Sequence, residues 1–216
     1  MKSTVNKVEQ SATIRIKAIN TCGAVFNIRG TAPLVMNKFS RKAKDQIEDT
    51  QAKGGDRGKK KARDKKDFGE CYKQAMHISE EGWIGIPASA FRAAAISACR
   101  LVGFKMTIAK MSIFIMADGL DADEGTPLVK ITSGKPEEYR AHVRNATGVV
   151  DLRIRPMWRK WEATLRVNYD GDQFELADVY NLISRVGQQV GLLEGRPDSK
   201  MSSGLGFGLF EIVNKK

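Results

Sequence analysis

The stretch Gly195-Arg196-Pro197-Asp198-Ser199-Lys200-Met201-Ser202-Ser203-Gly204-Leu205-Gly206-Phe207-Gly208 combines residue types that suit a phosphate chain. Glycine admits positive φ and close backbone approach, and successive exposed N–H groups make an anion-binding concavity. Arg196 and Lys200 stand beside Gly204 and Gly206, and these four make the first candidate anion site. The spacing is not that of a Walker loop. The glycines lead into an apolar strand rather than a helix, so they are no dinucleotide fingerprint either. The chemistry on offer is the binding of a polyanion, not its transformation.

A second candidate is Asp151-Leu152-Arg153-Ile154-Arg155-Pro156-Met157-Trp158-Arg159-Lys160-Trp161. Arg153, Arg155, Arg159 and Lys160 would neutralise phosphates while Trp158 stacks on a base, worth about 1–3 kcal/mol. Pro156 is expected to interrupt a strand and leave the tip exposed. The competing reading has a tryptophan capping the core and the arginines solvating a strand edge. Further cations join the candidate set: Lys38 and Arg41 at the head of a charged segment, Arg92 near a helix start, and Arg144 before a turn at Thr147-Gly148.

Residues 53–67 hold eight cations and three acids, among them Arg57, Lys59, Lys60, Lys61 and Arg63. With no apolar side chain larger than alanine the segment cannot bury enough surface to order itself, so a mobile basic loop is expected. It is either a phosphate-binding arm or a merely solvated insertion.

Lys and Arg total 36 against 25 acids, a formal charge of +11 with a pI of about 9.6. Such an excess favours nucleic acid or an anionic surface as partner. Three cysteines, far apart and outside any CxxC pair, argue against a disulfide framework or zinc ribbon and for a reducing cytoplasm. No apolar run approaches a membrane span, and the opening residues lack a secretory h-region.

Catalysis has thin support. His77 and His142 are the only histidines, and no nucleophile elbow or H-E-x-x-H pair occurs. Asp121, Asp123 and Glu124 miss the periodicity of a calcium loop and leave a magnesium-assisted nuclease as a remote alternative. Neither a metal nor a cofactor is expected.

These candidates need elements to position them. Residues 12–19 alternate and predict a strand, continued by Val25–Arg29 after a break at Cys22-Gly23. A surface helix is expected over 38–52, and a hairpin turning at Glu80-Glu81-Gly82. A helix over 87–102 carries the stripe Phe91, Ala94, Ala95, Ala98, Leu101 and Val102. Residues 106–116 predict a long central strand, 118–160 an inserted β-hairpin region, and 162–169 a strand with Ala163, Leu165, Val167 and Tyr169 on one face. Asp172 and Glu175 suggest a capping box before a helix striped by Leu176, Val179, Leu182, Ile183, Val186 and Val190. A last strand covers 206–213. Stripped of insertions, the order strand-helix-strand-strand-helix-strand is that of a single α+β domain, a ferredoxin-like (RRM-like) antiparallel sheet with two covering helices.

Three segments resemble the RAMP superfamily of RNA-binding proteins in CRISPR effector complexes, particularly their filament-forming backbone subunits. They are Ile28-Arg29-Gly30-Thr31-Ala32-Pro33-Leu34, the strand-to-helix turn Ile84-Gly85-Ile86-Pro87-Ala88-Ser89-Ala90-Phe91-Arg92, and the glycine turn 204–208. The whole sequence is also similar to small proteins of tailed bacteriophages, which implies no activity. The family's thumb-like hairpin has a counterpart only in 118–160. The resemblance implies a non-enzymatic protein that binds single-stranded RNA or DNA and self-associates along it. A viral structural or assembly protein meeting an acidic partner is the alternative.

Overall fold

The computed structural model describes residues 16–52, 67–144, 148, 150–199 and 204–213. In chain order the elements are β1 (Thr21–Gly30), β2 (Leu34–Val35), α1 (Arg41–Ala52), α2 (Phe68–Gln74), β3 (Gly85–Pro87), α3 (Ala88–Cys99), α4 (Met106–Ser112), β4 (Ile113–Met116), β5 (Gly119–Leu120), β6 (Pro127–Ser133), β7 (Glu137–Arg144), β8 (Val150–Trp158), β9 (Glu162–Asp170), α5 (Leu176–Arg185) and β10 (Phe210–Val213).

The fold is a mixed one of helices on antiparallel sheet. β9 is the hub, with Phe26, Ile28 and the rest of β1 along one edge. Its other edge is shared: Arg166–Tyr169 pair with β4, and Glu162–Ala163 with β6. β10 flanks β1, β3 and β5 extend the sheet beyond β6, and a separate three-stranded sheet runs β2-β8-β7. Period-two alternation dictates which face each side chain takes. Ala163, Leu165, Val167 and Tyr169 face inward, where α3 and α5 cover them with Phe91, Ala94, Ala95, Ala98, Val179, Leu182 and Ile183. The alanines keep α3 close to the sheet. Each fully buried Leu, Ile or Phe contributes about 1.5–3 kcal/mol here. A π-helical turn, Val186–Val190, prolongs α5 and buries Val186 and Val190. Among the described residues no helix is long and apolar enough to cross a membrane.

Several expectations shift. Residues 16–20 are exposed and irregular, and the strand starts only at Thr21, which pairs with Asp170 at the far end of β9. It runs unbroken through Cys22-Gly23 because β9 continues opposite both. Residues 106–116 are not one strand. Ala109 and Ser112, three apart, bury one face of α4, and only Ile113–Met116 reach β9. The helix-capping box forms three residues later than expected, between Glu175 and Asp178. Leu101, Val102 and Leu176 leave their stripes and stand more than half exposed, while Ile96 and Cys99 are buried instead. The hairpin at Glu80-Glu81-Gly82 shrinks to a single bridge, Ile78 with Ile84. Residues 53–66 of the expected mobile loop lie outside the described residues. Asp67 caps α2, accepting a hydrogen bond from the Glu70 N–H at 3.1 Å.

Pro156 does not break its strand. β8 pairs with β7 through Pro156 itself, opposite Glu138. On the β2 side Met36 donates its N–H to the Pro156 carbonyl at 3.0 Å, but proline has no N–H to return, so that ladder ends at Val35.

Candidate nucleic-acid interface

The corrected strand carries Trp158 inward. Trp158 and Trp161 are each 1% exposed, so neither indole offers a face to a base. Trp158 packs in the core, and Trp161 donates Nε1–H to the Ala32 carbonyl at 3.0 Å. Lys38 is also withdrawn from any phosphate. It is 8% exposed, with Nζ at 2.8 Å from Asp121 and 2.9 Å from Asp123.

Among the described residues, most of the other candidate cations are engaged within the fold. Arg155 pairs with Glu194 at 3.0 Å and Arg153 with Asp151 at 3.5 Å, while Arg159 pairs with Glu137. Arg196 donates to the Leu193 carbonyl at 2.9 Å. Tyr139, opposite Arg155, packs edge-on against Phe207 of the glycine turn with ring centroids 5.8 Å apart, and Gly204 of that turn lies against the Arg196 backbone. Arg92 belongs to another group, donating to the carbonyls of Ile113 and Lys110 and lying 5.3 Å from the Phe114 ring. Arg41 and Lys160 are exposed. Arg144 ends β7, whereas Arg57, Lys59, Lys60, Lys61, Arg63 and Lys200 lie outside the described residues.

The glycine turn folds on itself. Gly204 and Gly206 take φ of 72° and 73°, which bends the chain so that Leu205 and Phe207 donate their N–H groups to the Gly195 carbonyl. Gly208 donates to Pro33 at 2.7 Å. Those three donors are therefore unavailable to a phosphate. Asp198 ties the preceding loop to α3. The Ser97 hydroxyl, then Arg100 and Arg196, hold its carboxyl below the usual aspartate range despite partial burial.

Asp121, a candidate nuclease acid, sits in a buried polar cluster. It accepts from Lys38, from the N–H groups of Asp123 and Glu124 at 3.0 and 3.1 Å, and lies 2.9 Å from His77 Nδ1. Burial pushes its pKa up, but these hydrogen bonds outweigh that and lower it. Among the described residues no three His, Cys, Asp or Glu are placed together to hold a metal.

A different surface has the character of an interface. The helices cover one face of the strands β10, β1, β9 and β4, and among the described residues nothing covers the other. Its outward row on β9 is Thr164, Arg166 and Asn168, beside Val25 and Asn27 of β1 and Phe114 and Met116 of β4. Val25 is 63% exposed and Phe114 45%. Arg29 pairs with Glu211 at one end, and Arg166 with Asp118 at the other. Beyond Arg166 a cleft of about 340 Å³ opens between Trp83, Lys130 and Asp118. Sequence reasoning chose none of these as binding residues. Their signal was the polar half of the alternation in 162–169, which marks a solvent face but not what lies over it.

Charge is distributed unevenly along the chain. Of the 36 Lys and Arg and 25 Asp and Glu, the described residues hold 22 of each. The entire +11 thus belongs to the remaining segments, and 53–66 alone carries eight cations against two acids. The chain matches no protein-family model and no curated protein.

Proposed function

We propose that the protein binds single-stranded nucleic acid without processing it, laying the strand along the open face of β10-β1-β9-β4. The observation that carries this reading is the segregation of charge: a neutral body bears a short segment of net +6 between α1 and α2. Concentrated cations attract a phosphate chain regardless of sequence, and an uncovered sheet with an exposed aromatic suits splayed bases. Phe114 takes the stacking role given by sequence to Trp158, with Arg92 over one face of its ring and the other face left for a base. The spatial order β10-β1-β9-β4, with α3 following β1 and α5 following β9, supports a ferredoxin-like core and a RAMP-like backbone subunit that self-associates along its ligand.

The test is fluorescence anisotropy of a labelled 20-nucleotide single strand over a range of salt. Log affinity falls with log salt by about 0.7 per neutralised phosphate. Changing the cations of 53–66 to serine removes most of that slope. A wild-type slope near zero discards the reading.

A second reading, a viral structural or assembly protein, draws on Leu101, Val102 and Met111, large apolar side chains 55%, 52% and 68% exposed. It predicts self-association unchanged by nuclease treatment and by loss of the 53–66 charge. Size-exclusion with light scattering separates the two.

A further inference from the structure

We infer that the cleft beside Trp83 is a base-recognition pocket, and that the base it takes is guanine; the inference rests on the single-strand reading above. The cleft adjoins the open face through Thr164 and Arg166, which point outward from β9. Its volume, about 340 Å³, lies in the range of small-ligand pockets and suits one nucleotide. Trp83 is half-buried and the only tryptophan that is not in the core. Gly85 and Gly119 let its benzo ring lie against the backbones of β3 and β5, since a Cβ at either would stand 2.8 or 2.7 Å from that ring. Lys130 Nζ stands 5.6 Å from the ring centroid. A base stacking on the indole takes the place of that ammonium, and Lys130, exposed and flexible, moves to a phosphate beside Arg166.

The identity of the base follows from the acceptors. Glu81, exposed, accepts the indole Nε1–H through Oε2 at 3.0 Å, which orients the carboxylate and leaves its second oxygen able to accept. Asp118 is held by Arg166 at Oδ1 and by the Lys130 N–H at Oδ2, 2.8 Å away. Two oriented carboxylates complement an edge with adjacent donors. Guanine presents N1–H and N2–H₂ together, whereas uracil and thymine offer a lone N3–H between two carbonyl oxygens, one of which would face the second carboxylate and be repelled.

The experiment compares the full chain binding two RNA dodecamers, one all uridine and one carrying two central guanosines in a uridine strand. Binding is read by anisotropy and by tryptophan emission, with guanosine and uridine 5′-monophosphates in parallel. Trp158 and Trp161 are shielded, so contact quenching reports Trp83. The guanine strand is expected to bind about tenfold more tightly and to quench emission. Trp83→Leu abolishes the quench. Glu81→Gln leaves the packing in place and brings the guanine-to-uracil ratio close to one while the all-uridine strand still binds. Equal affinities for both strands without quenching overturn the guanine pocket and leave the single-strand reading standing. Quenching by guanosine monophosphate with no strand bound upholds the pocket, as a site for a free nucleotide, and overturns the strand reading. If neither strand nor mononucleotide binds, both fail.

Discussion

Replacing Lys38 by methionine tests the buried polar cluster, because it deletes the ammonium while keeping the length of the chain. Asp121 has a fully buried side chain, and Lys38 reaches its two oxygens at 2.8 and 3.1 Å. Removing one partner of a buried ion pair costs about 3–5 kcal/mol. Asp121 retains His77 and two backbone N–H groups, so the expected loss is at the lower end, about 3 kcal/mol. For a chain of this size that lowers the melting temperature by about 6–12 °C. The pH dependence has a definite sign. Asp121 has a folded-state pKa below its ordinary value of about 3.9, so the wild type gains stability above that value and loses it as pH falls through the folded one. In Lys38→Met the unpaired carboxylate is neutralised by acid, so the gap between variant and wild type narrows below about pH 4. Urea denaturation at pH 7 and pH 3 reads both quantities. A loss under about 1 kcal/mol, or a gap identical at the two pH values, refutes the argument. Because Lys38 is 8% exposed, folded variant should bind oligonucleotide as the wild type does.

Trp158→Ala should lose about 3–5 kcal/mol by chemical denaturation, from the cavity it opens, while oligonucleotide affinity holds in the folded fraction. Gly208→Ala should destabilise by more than about 1 kcal/mol, since φ is 72° and the new Cβ would press on the Leu192 backbone. Gly206→Ala shares the φ but meets no atom within 4 Å, so thermal melts of the two separate strain from collision. Asp198→Asn should cost under about 1 kcal/mol at pH 7, because Asp198 is partly exposed, and the difference should fade below about pH 4, where the depressed carboxyl of the wild type takes up its proton.

The comparison of Glu162–Asp170 with Met106–Met116 shows what kind of information a sequence carries. In the first, strict alternation coincides with a strand whose inward set is buried from end to end. In the second, apolar residues are dense but without a clear period, and contact with α3 decides that most of the segment coils as α4. Helix α1 over Arg41–Ala52 and the inserted strands between 118 and 160 were legible for the same reason, local pattern and turn residues. The buried stripe of α5 was too, except at Leu176, whose first-turn position carries it beyond the sheet.

From residue order alone came the α+β class, the location of the main strands and helices, and the concentration of positive charge in 53–67, because periodicity and charge are properties of neighbours along the chain. Which tryptophans are buried, that Lys38 finds Asp121 across 83 positions, and which sheet face stays uncovered were decided only by tertiary packing. Burial depends on partners remote in sequence, and a side chain with a suitable type for binding can be claimed by the core instead.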